Sequence, residues 1–334
     1  MYESLHNHTT ASDGTQSYAE VLATAKRVGF GTVAFTDHDM LPSREDLAYL
    51  RAYDGPVKWL LGCEISSGLP TELGGSKAGM MHVLGLFTDP ENAALKDHSH
   101  KAVSARPERM QRMVANLKNL GFTISVDDCM AAAAGDDNVG RPHIVRALNT
   151  HPENAAIILK LKDQMEEEAK TNPTVAMDYM HMIGRRTTDY PFELFLSDDA
   201  YIKGVYVDYL YAIDMDESVR LIREAGGRAA IAHWWTYLRK IDPAAMEGLL
   251  KDGRLDFVEV CSGRITDQVE RYGKMAGQMA ARLKLPQTIG VDGHIESDMV
   301  SYARERIMME PSIGQTARFI ETYKPDLTWS NLES

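Results

Sequence analysis

The chain has 334 residues, 44% of them hydrophobic and 25% charged, the make-up of a globular protein with room for one large α/β barrel or two domains. A formal charge of −12, with no long lysine or arginine run to offset it, disfavours nucleic acid as a partner. Three cysteines (Cys63, Cys129, Cys261) without a CxxC pair, and no secretory leader or long apolar run, lead us to expect a cytoplasmic protein with neither disulfide framework nor membrane partner.

The chain opens with ESLHNHTTASDG (3–14). His6 and His8, two residues apart, share one face of a strand, while Asn7 points the other way. SYAEVLATAKRVGFG (17–31) reads as a helix, with Ser17 as N-cap, Val21, Leu22, Ala25 and Val28 on its apolar face, and Gly29 as its stop. TVAFTDHD (32–39) reads as a strand, REDLAYLRAY (44–53) as a helix, and VKWLLGCEIS (57–66) and MMHVLGLF (80–87) as strands. Such alternation predicts βα units and a parallel sheet. From about residue 91 the rhythm changes. ARPERMQRMVANLKNLG (105–121) is helical, and 153–200 is mostly helical, polar and rich in methionine, with no buried strand. The alternation returns with a helix over 216–227, a strand in RAAIAHWW (228–235), a helix in PAAMEGLLKDG, a strand in LDFVEVCSG (255–263), a long helix over 266–284 and a strand in PQTIGVDGH (286–294). The expected organisation is a parallel barrel from 1–95 and 201–334, interrupted by a helical cap over 96–200.

Polar residues gather at the ends of these strands. His6 and His8 end the first, Asp37, His38 and Asp39 the second, and Glu64 the third; His82 lies near the start of the fourth. His233 ends the AAIAH run, and Asp292 and His294 end the last strand. In a parallel barrel all C-terminal strand ends open onto one face, where active sites assemble. Each residue has an ordinary reading: a helix cap, a solvated carboxylate, a turn. Their recurrence at one end of successive strands points to a metal centre. The set His6, His8, Asp13, His38, Glu64, His82, His143, Asp292 and His294 is too long for one ion. At about three or four protein ligands each, it suits two or three divalent ions sharing a bridging carboxylate and a bridging hydroxide. Mixed imidazole and carboxylate donors favour Mn²⁺, Zn²⁺ or Fe²⁺ over Mg²⁺ or Ca²⁺.

HNHTTASDG (6–14), FTDHD (35–39), GCEIS (62–66), MHVLGLF (81–87), GRPHIVRAL (140–148), AIAHW (230–234) and GVDGH (290–294) together resemble the polymerase and histidinol phosphatase (PHP) family of metal-dependent phosphoesterases. They run in family order and leave only about 150–205 without a match. The resemblance implies a distorted, TIM-like (β/α)7 barrel with an inserted helical subdomain. It groups His6, His8, Glu64 and Asp292 on one ion and Asp13, His38 and His294 on a second. Glu64 bridges to a third ion held by His82 and His143. It also gives Arg141 and His233 to the substrate phosphate, and matches Arg106 and Arg109, one helical turn apart, to arginines that face the site. The implied enzyme is a hydrolase of phosphoric esters of small molecules, nucleotide or sugar phosphates, a cyclic ribose phosphate among them. Asp13, His233 and His294 are the candidates for protonating the leaving oxygen.

The sequence departs from the family pattern where Ala-His-Pro is replaced by Ala232-His233-Trp234, followed by Trp235. Trp234 either packs the barrel or stacks on a base or sugar. DHSHK (97–101) holds a second HxH pair in a charged run, and His98 and His100 read as surface residues. Asp37 and Asp39 are candidates for orienting ligand imidazoles. The rival readings are a PHP-type 3'-5' exonuclease, a non-catalytic metal-binding regulatory module, and a hydrolase of C–N bonds.

Overall fold

The computed structural model describes residues 1–77, 80–134, 137–263, 266–305 and 313–332. It divides into two compact units, one made of residues 1–101 and 212–334 and the other of 102–211.

Among the described residues the first unit carries seven strands: β1 (Tyr2–Ser4), β2 (Phe30–Phe35), β3 (Lys58–Gly68), β4 (Met80–Leu86), β5 (Arg228–Ile231), β6 (Val258–Cys261) and β7 (Gln287–Ile289). They form a curled five-stranded sheet in the order β1-β2-β3-β4-β5 and a separate pair, β6-β7. The peptide of Leu5, just past β1, donates to the carbonyl of Ile289 at 2.9 Å, so β7 runs beside the first strand. Phe35, Leu61, Val83 and Ile231 pack on one face of the sheet, and Ala34, Leu60, Leu84 and Ala230 on the other. A sheet buried on both faces explains the nearly continuous apolar runs of β2 and β3.

One expectation is corrected. The sheet is not all parallel: β4 runs antiparallel to both β3 and β5, pairing Ser66 with His82 and Val83 with Ile231. Between β3 and β4 the described residues form only two short 3₁₀ turns, Thr71–Leu73 and Gly75–Lys77. A parallel return needs a crossover of a dozen residues or more, whereas an antiparallel one does not. The reversal has a consequence for chemistry. The start of β4, with His82, lies against the C-terminal half of β3, at the end where the other strands deliver their polar residues.

Helices enter the unit through side-chain caps. Ser17 closes a capping box on Tyr18–Val28, Ser43 does so on Arg44–Ala52, and Gly29 ends the first helix in the left-handed region at φ 96°. Buried Glu3 accepts from the peptide and hydroxyl of Thr316 and from the Gly314 peptide, fastening helix Gln315–Tyr323 to β1.

The second unit is helical: Arg106–Asn119, Val126–Ala132, Arg141–Asn149, Asn154–Ala169, Pro173–Ile183 and Tyr190–Leu194. Its own core joins Met110, Met113, Leu117, Leu148, Met165, Met182 and Phe195, so much of the methionine content of the chain's middle is packing.

Candidate metal centre

At the ends of the strands in the first unit, three sets of donor atoms converge, each within 4.8 Å: His6, His8, Glu64 and Asp292; His8, Asp13, His38 and His294; and His38, Glu64 and His82. Backbone hydrogen bonds between successive strand ends set this up. His8 N–H donates to Gly293 O at 3.0 Å, and Asp292 N–H to His6 O at 2.9 Å, joining the first and last segments. Glu64 N–H donates to Asp37 O and Asp39 N–H to Glu64 O, which places His38 beside Glu64. Asp39, His233 and Asp292 hold φ of 51°, 33° and 51°. Side-chain-bearing residues seldom adopt the left-handed region, and their clustering at one site marks a place where position matters more than backbone ease. Gly290 is required for a different reason: a Cβ there would sit 2.1 Å from the Cβ of His6.

Glu64 is the hub. Its Oε2 lies 3.1 Å from both His6 Nε2 and His8 Nε2 and 3.2 Å from His38 Nδ1. Its Oε1 lies 3.0 Å from His82 Nδ1 and 3.0 Å from His233 Nε2. Asp292 Oδ1 lies 3.2 Å from His8 Nε2 and 3.5 Å from His6 Nε2. Asp13 lies 3.3 Å from His294 Nε2 and 3.9 Å from both His8 and His38.

These separations fit ions. Donors about 2.1 Å from a shared cation lie roughly 3.0–3.4 Å from one another in octahedral or tetrahedral geometry. Hydrogen bonding alone leaves the set unsatisfied. Nδ1 of His8, His38 and His82 is buried with no hydrogen-bond partner among the described residues, and such atoms are rare unless something else engages them.

The electrostatics point the same way. Burial pushes carboxyl groups up, but for Glu64 the imidazoles of His38, His6 and His82 outweigh it and hold the carboxyl well below its usual range. Neighbouring imidazoles likewise override burial at Asp13 and Asp292, holding both carboxyls well below theirs. Burial pushes the His38 imidazole down to about 3, leaving it neutral with a lone pair free for a metal. At His294 burial acts downward too, yet Asp13 and Asp292 raise it to about 10. Several buried carboxylates in one place require positive charge, which protons or divalent cations can supply.

The other candidates fall as follows. His143 belongs to the helical unit, where its Nδ1 accepts from the Gly140 peptide at 2.9 Å at the start of helix Arg141–Asn149. In that unit Arg109 is buried, donates through Nε to Val207 O at 2.8 Å and stacks 3.9 Å above the Tyr209 ring. Arg109 and Arg141 both face the Tyr206 ring, at 5.2 and 5.8 Å. Arg141 also donates to Leu196 O and the Ser197 hydroxyl, and Arg106 is buried as well.

Asp37 and Asp39 hold backbone and hydroxyl groups. Asp37 accepts from the Thr9 peptide and from the hydroxyls of Thr9, Ser12 and Tyr18, fixing the loop that carries Asp13. Asp39 accepts from the Ser66 peptide at 2.8 Å. His98 is a correction: it is 2% exposed, with Nε2 3.5 Å from Asp39, while His100 is exposed. Its helix, Ala93–Ser104, turns that one residue inward. Trp234 is fully buried and donates its indole N–H to Ile241 O at 2.8 Å, so of the two roles open to it, it packs.

Sequence reasoning passed over Glu259. It is 1% exposed, with Oε1 2.9 Å from His6 Nδ1. The signal was present: a carboxylate in the middle of LDFVEVC, where buried charges occur almost only with partners.

Residues 4–126 match the family profile of the PHP domain. Of characterised proteins, this chain is 28% identical to a 3',5'-nucleoside bisphosphate phosphatase of Chromobacterium violaceum over 144 residues, 43% of this chain and 48% of that protein. It thus spans about half the length of that relative. It is 22% identical to a phosphoribosyl 1,2-cyclic phosphate 1,2-diphosphodiesterase of Eggerthella lenta over 70% of this chain and 74% of the other. A 5'-3' exoribonuclease of Haemophilus influenzae is 25% identical over 69% and 67%. The fold is shared with an amidohydrolase of C. violaceum solved with bound sulfate, at 23% identity and a TM-score of 0.65 over 88% of both chains. No helix among the described residues is long and apolar enough to cross a membrane.

Proposed function

We propose that this protein is a PHP-type metal-dependent hydrolase of phosphoric esters on small molecules, working at the centre built around Glu64. The observation that carries the reading is the hub itself: one buried carboxylate with five imidazole nitrogens within 3.2 Å of its two oxygens. Two or three divalent ions of the Mn²⁺, Zn²⁺ or Fe²⁺ type would be held by His6, His8, Glu64 and Asp292, by Asp13, His38 and His294, and by Glu64 with His82. His233, at 3.0 Å from the same oxygen as His82, takes the ligand place that the sequence reading gave to His143. When bound, such ions acidify water and neutralise charge on phosphoryl oxygens.

The chain's own residues do the rest. Glu64, Asp13 and Asp292 stay ionised and present oxygen donors that do not have to lose a proton first. Backbone pairing between strand ends fixes their spacing before substrate arrives, which is the preorganisation that phosphoryl transfer draws on. Asp13, His233 and His294 stay the candidates for protonating the leaving oxygen, and whichever of them ligates an ion gives up that role. Arg106, Arg109 and Arg141 are our candidates for binding an anionic group, because guanidinium groups suit bidentate contacts to phosphate.

The phosphatase and diphosphodiesterase relatives support nucleoside bisphosphates and cyclic ribose phosphates as the classes to try first. The seven strands and the helical unit support a distorted (β/α)7 barrel with an insertion. A second reading, exonuclease action, rests on the exoribonuclease relative and is opposed by the charge of −12. The deciding experiment incubates Mn²⁺-loaded protein with 3',5'-bisphosphates, nucleoside monophosphates, histidinol phosphate, ribose cyclic phosphates and a short 5'-phosphorylated RNA, and measures phosphate and nucleotide release. Turnover of a small ester at least tenfold faster than of RNA supports the proposal. The reverse order establishes the exonuclease.

A further inference from the structure

The five-stranded sheet and the β6-β7 pair are separate ladders. Where β5 meets β6, a backbone contact precedes β6, from Asp256 N–H to Ala229 O, with the Asp256 carboxylate accepting from the Ala229 peptide. Nearer the metal centre a side chain spans the seam. Glu259 Oε2 accepts the peptide N–H of His233, just past β5, at 2.5 Å, while its Oε1 meets His6 Nδ1, just past β1, at 2.9 Å. Both the His6 and Glu259 side chains are wholly buried. The β6-β7 register shifts between Glu259 and Cys261, the kind of bulge that re-aims a side chain beside a site.

Resting on the metal-centre reading above, we propose that Glu259 is a positioning residue that fixes two metal ligands at once, the ring of His6 and the left-handed peptide of His233. The chemistry requires a carboxylate. A peptide N–H can only donate. His6 presents Nε2 to Glu64 and Asp292, so to ligate there Nε2 must keep its lone pair and Nδ1 must carry the hydrogen. Two donors therefore converge on Glu259, one on each oxygen. A carboxylate accepts both, whereas a carboxamide of the same shape accepts one and confronts the other with N–H₂. Whichever way the amide turns, either His6 is driven toward the tautomer whose Nε2 is protonated, or the His233 peptide loses its acceptor.

The discriminating variant is Glu259→Gln, read by calorimetric titration with Mn²⁺ alone and by ¹⁵N NMR of the histidine side chains. We expect a folded protein whose Mn²⁺ affinity falls about 10- to 100-fold, with the His6 Nδ1–H signal lost or the ion count reduced. Glu259→Asp keeps two acceptors on a shorter arm. It should retain the Nδ1–H tautomer and lose less affinity than the amide. If Glu259→Gln does not fold, the aspartate variant decides alone: wild-type affinity would overturn the proposal, and a loss with the Nδ1–H signal kept would support it. Folded Glu259→Gln with affinity within twofold of wild type and an unchanged His6 signal overturns it as well. Wild-type protein that binds no Mn²⁺ would instead remove the metal-centre reading, a separate result.

Discussion

The two units use charged residues in opposite ways. In the strand-built unit, buried carboxylates sit opposite imidazoles at spacings that suit ions, and the backbone around them is bent into left-handed turns at Asp39, His233 and Asp292. In the helical unit, buried Arg109 and half-buried Arg141 lie against tyrosine rings and main-chain carbonyls. The first arrangement concentrates negative charge and calls for cations; the second presents guanidinium faces and calls for anions.

The sharpest way to break this division is to exchange histidines between units. His233→Ala should remove one ion and lower phosphate release by more than about 100-fold. His143→Ala should leave the ion count unchanged and cost about 1 kcal/mol of stability through the lost cap at Gly140, read by metal analysis and thermal melting. An ion lost from the His143 variant and not from the His233 variant would restore the assignment made from sequence. The next effect is smaller and sits in the other unit. Arg109→Ala should raise KM about 10- to 100-fold, the equivalent of one or two charge-assisted hydrogen bonds, with the ion count unchanged in metal analysis; a fall in ion count with KM unchanged would deny the helical unit its anion role. The smallest effect sharpens the reading of the departure from Ala-His-Pro. Trp234→Phe should cost about 1 kcal/mol for the hydrogen bond to Ile241, seen as a lower Tm, and leave KM unaltered. A KM change without a Tm change would give the indole back to the substrate.

Much of the strand-built unit was legible because its signals are local. Ser17 and Gly29 bracket a helix, apolar runs mark strands, and the polar residues that end them are the ones that converge. The direction of β4 was not legible, since the cue lies in a short connection, yet His82 still reached the site because reversing the strand brought its start to the right end. His98 was misread because a polar run on a helix hides which single residue faces inward. Glu259 was missed because its neighbours in sequence are apolar, and its partners, His6 and His233, are brought to it only by the curl of the sheet. In the helical unit the sequence singled out Arg106, Arg109 and Arg141, but not the tyrosines that Arg109 and Arg141 face, because Tyr206 and Tyr209 come from a segment with no motif.

The most direct test of the Glu64-centred account compares wild type with Glu64→Gln, counting Mn²⁺ bound per chain and phosphate released from the best ester in the same preparation. The account predicts that wild type binds at least two ions and that the variant, folded, loses at least one of them together with more than about 1000-fold of the activity. A variant that keeps its ions and its rate would contradict it.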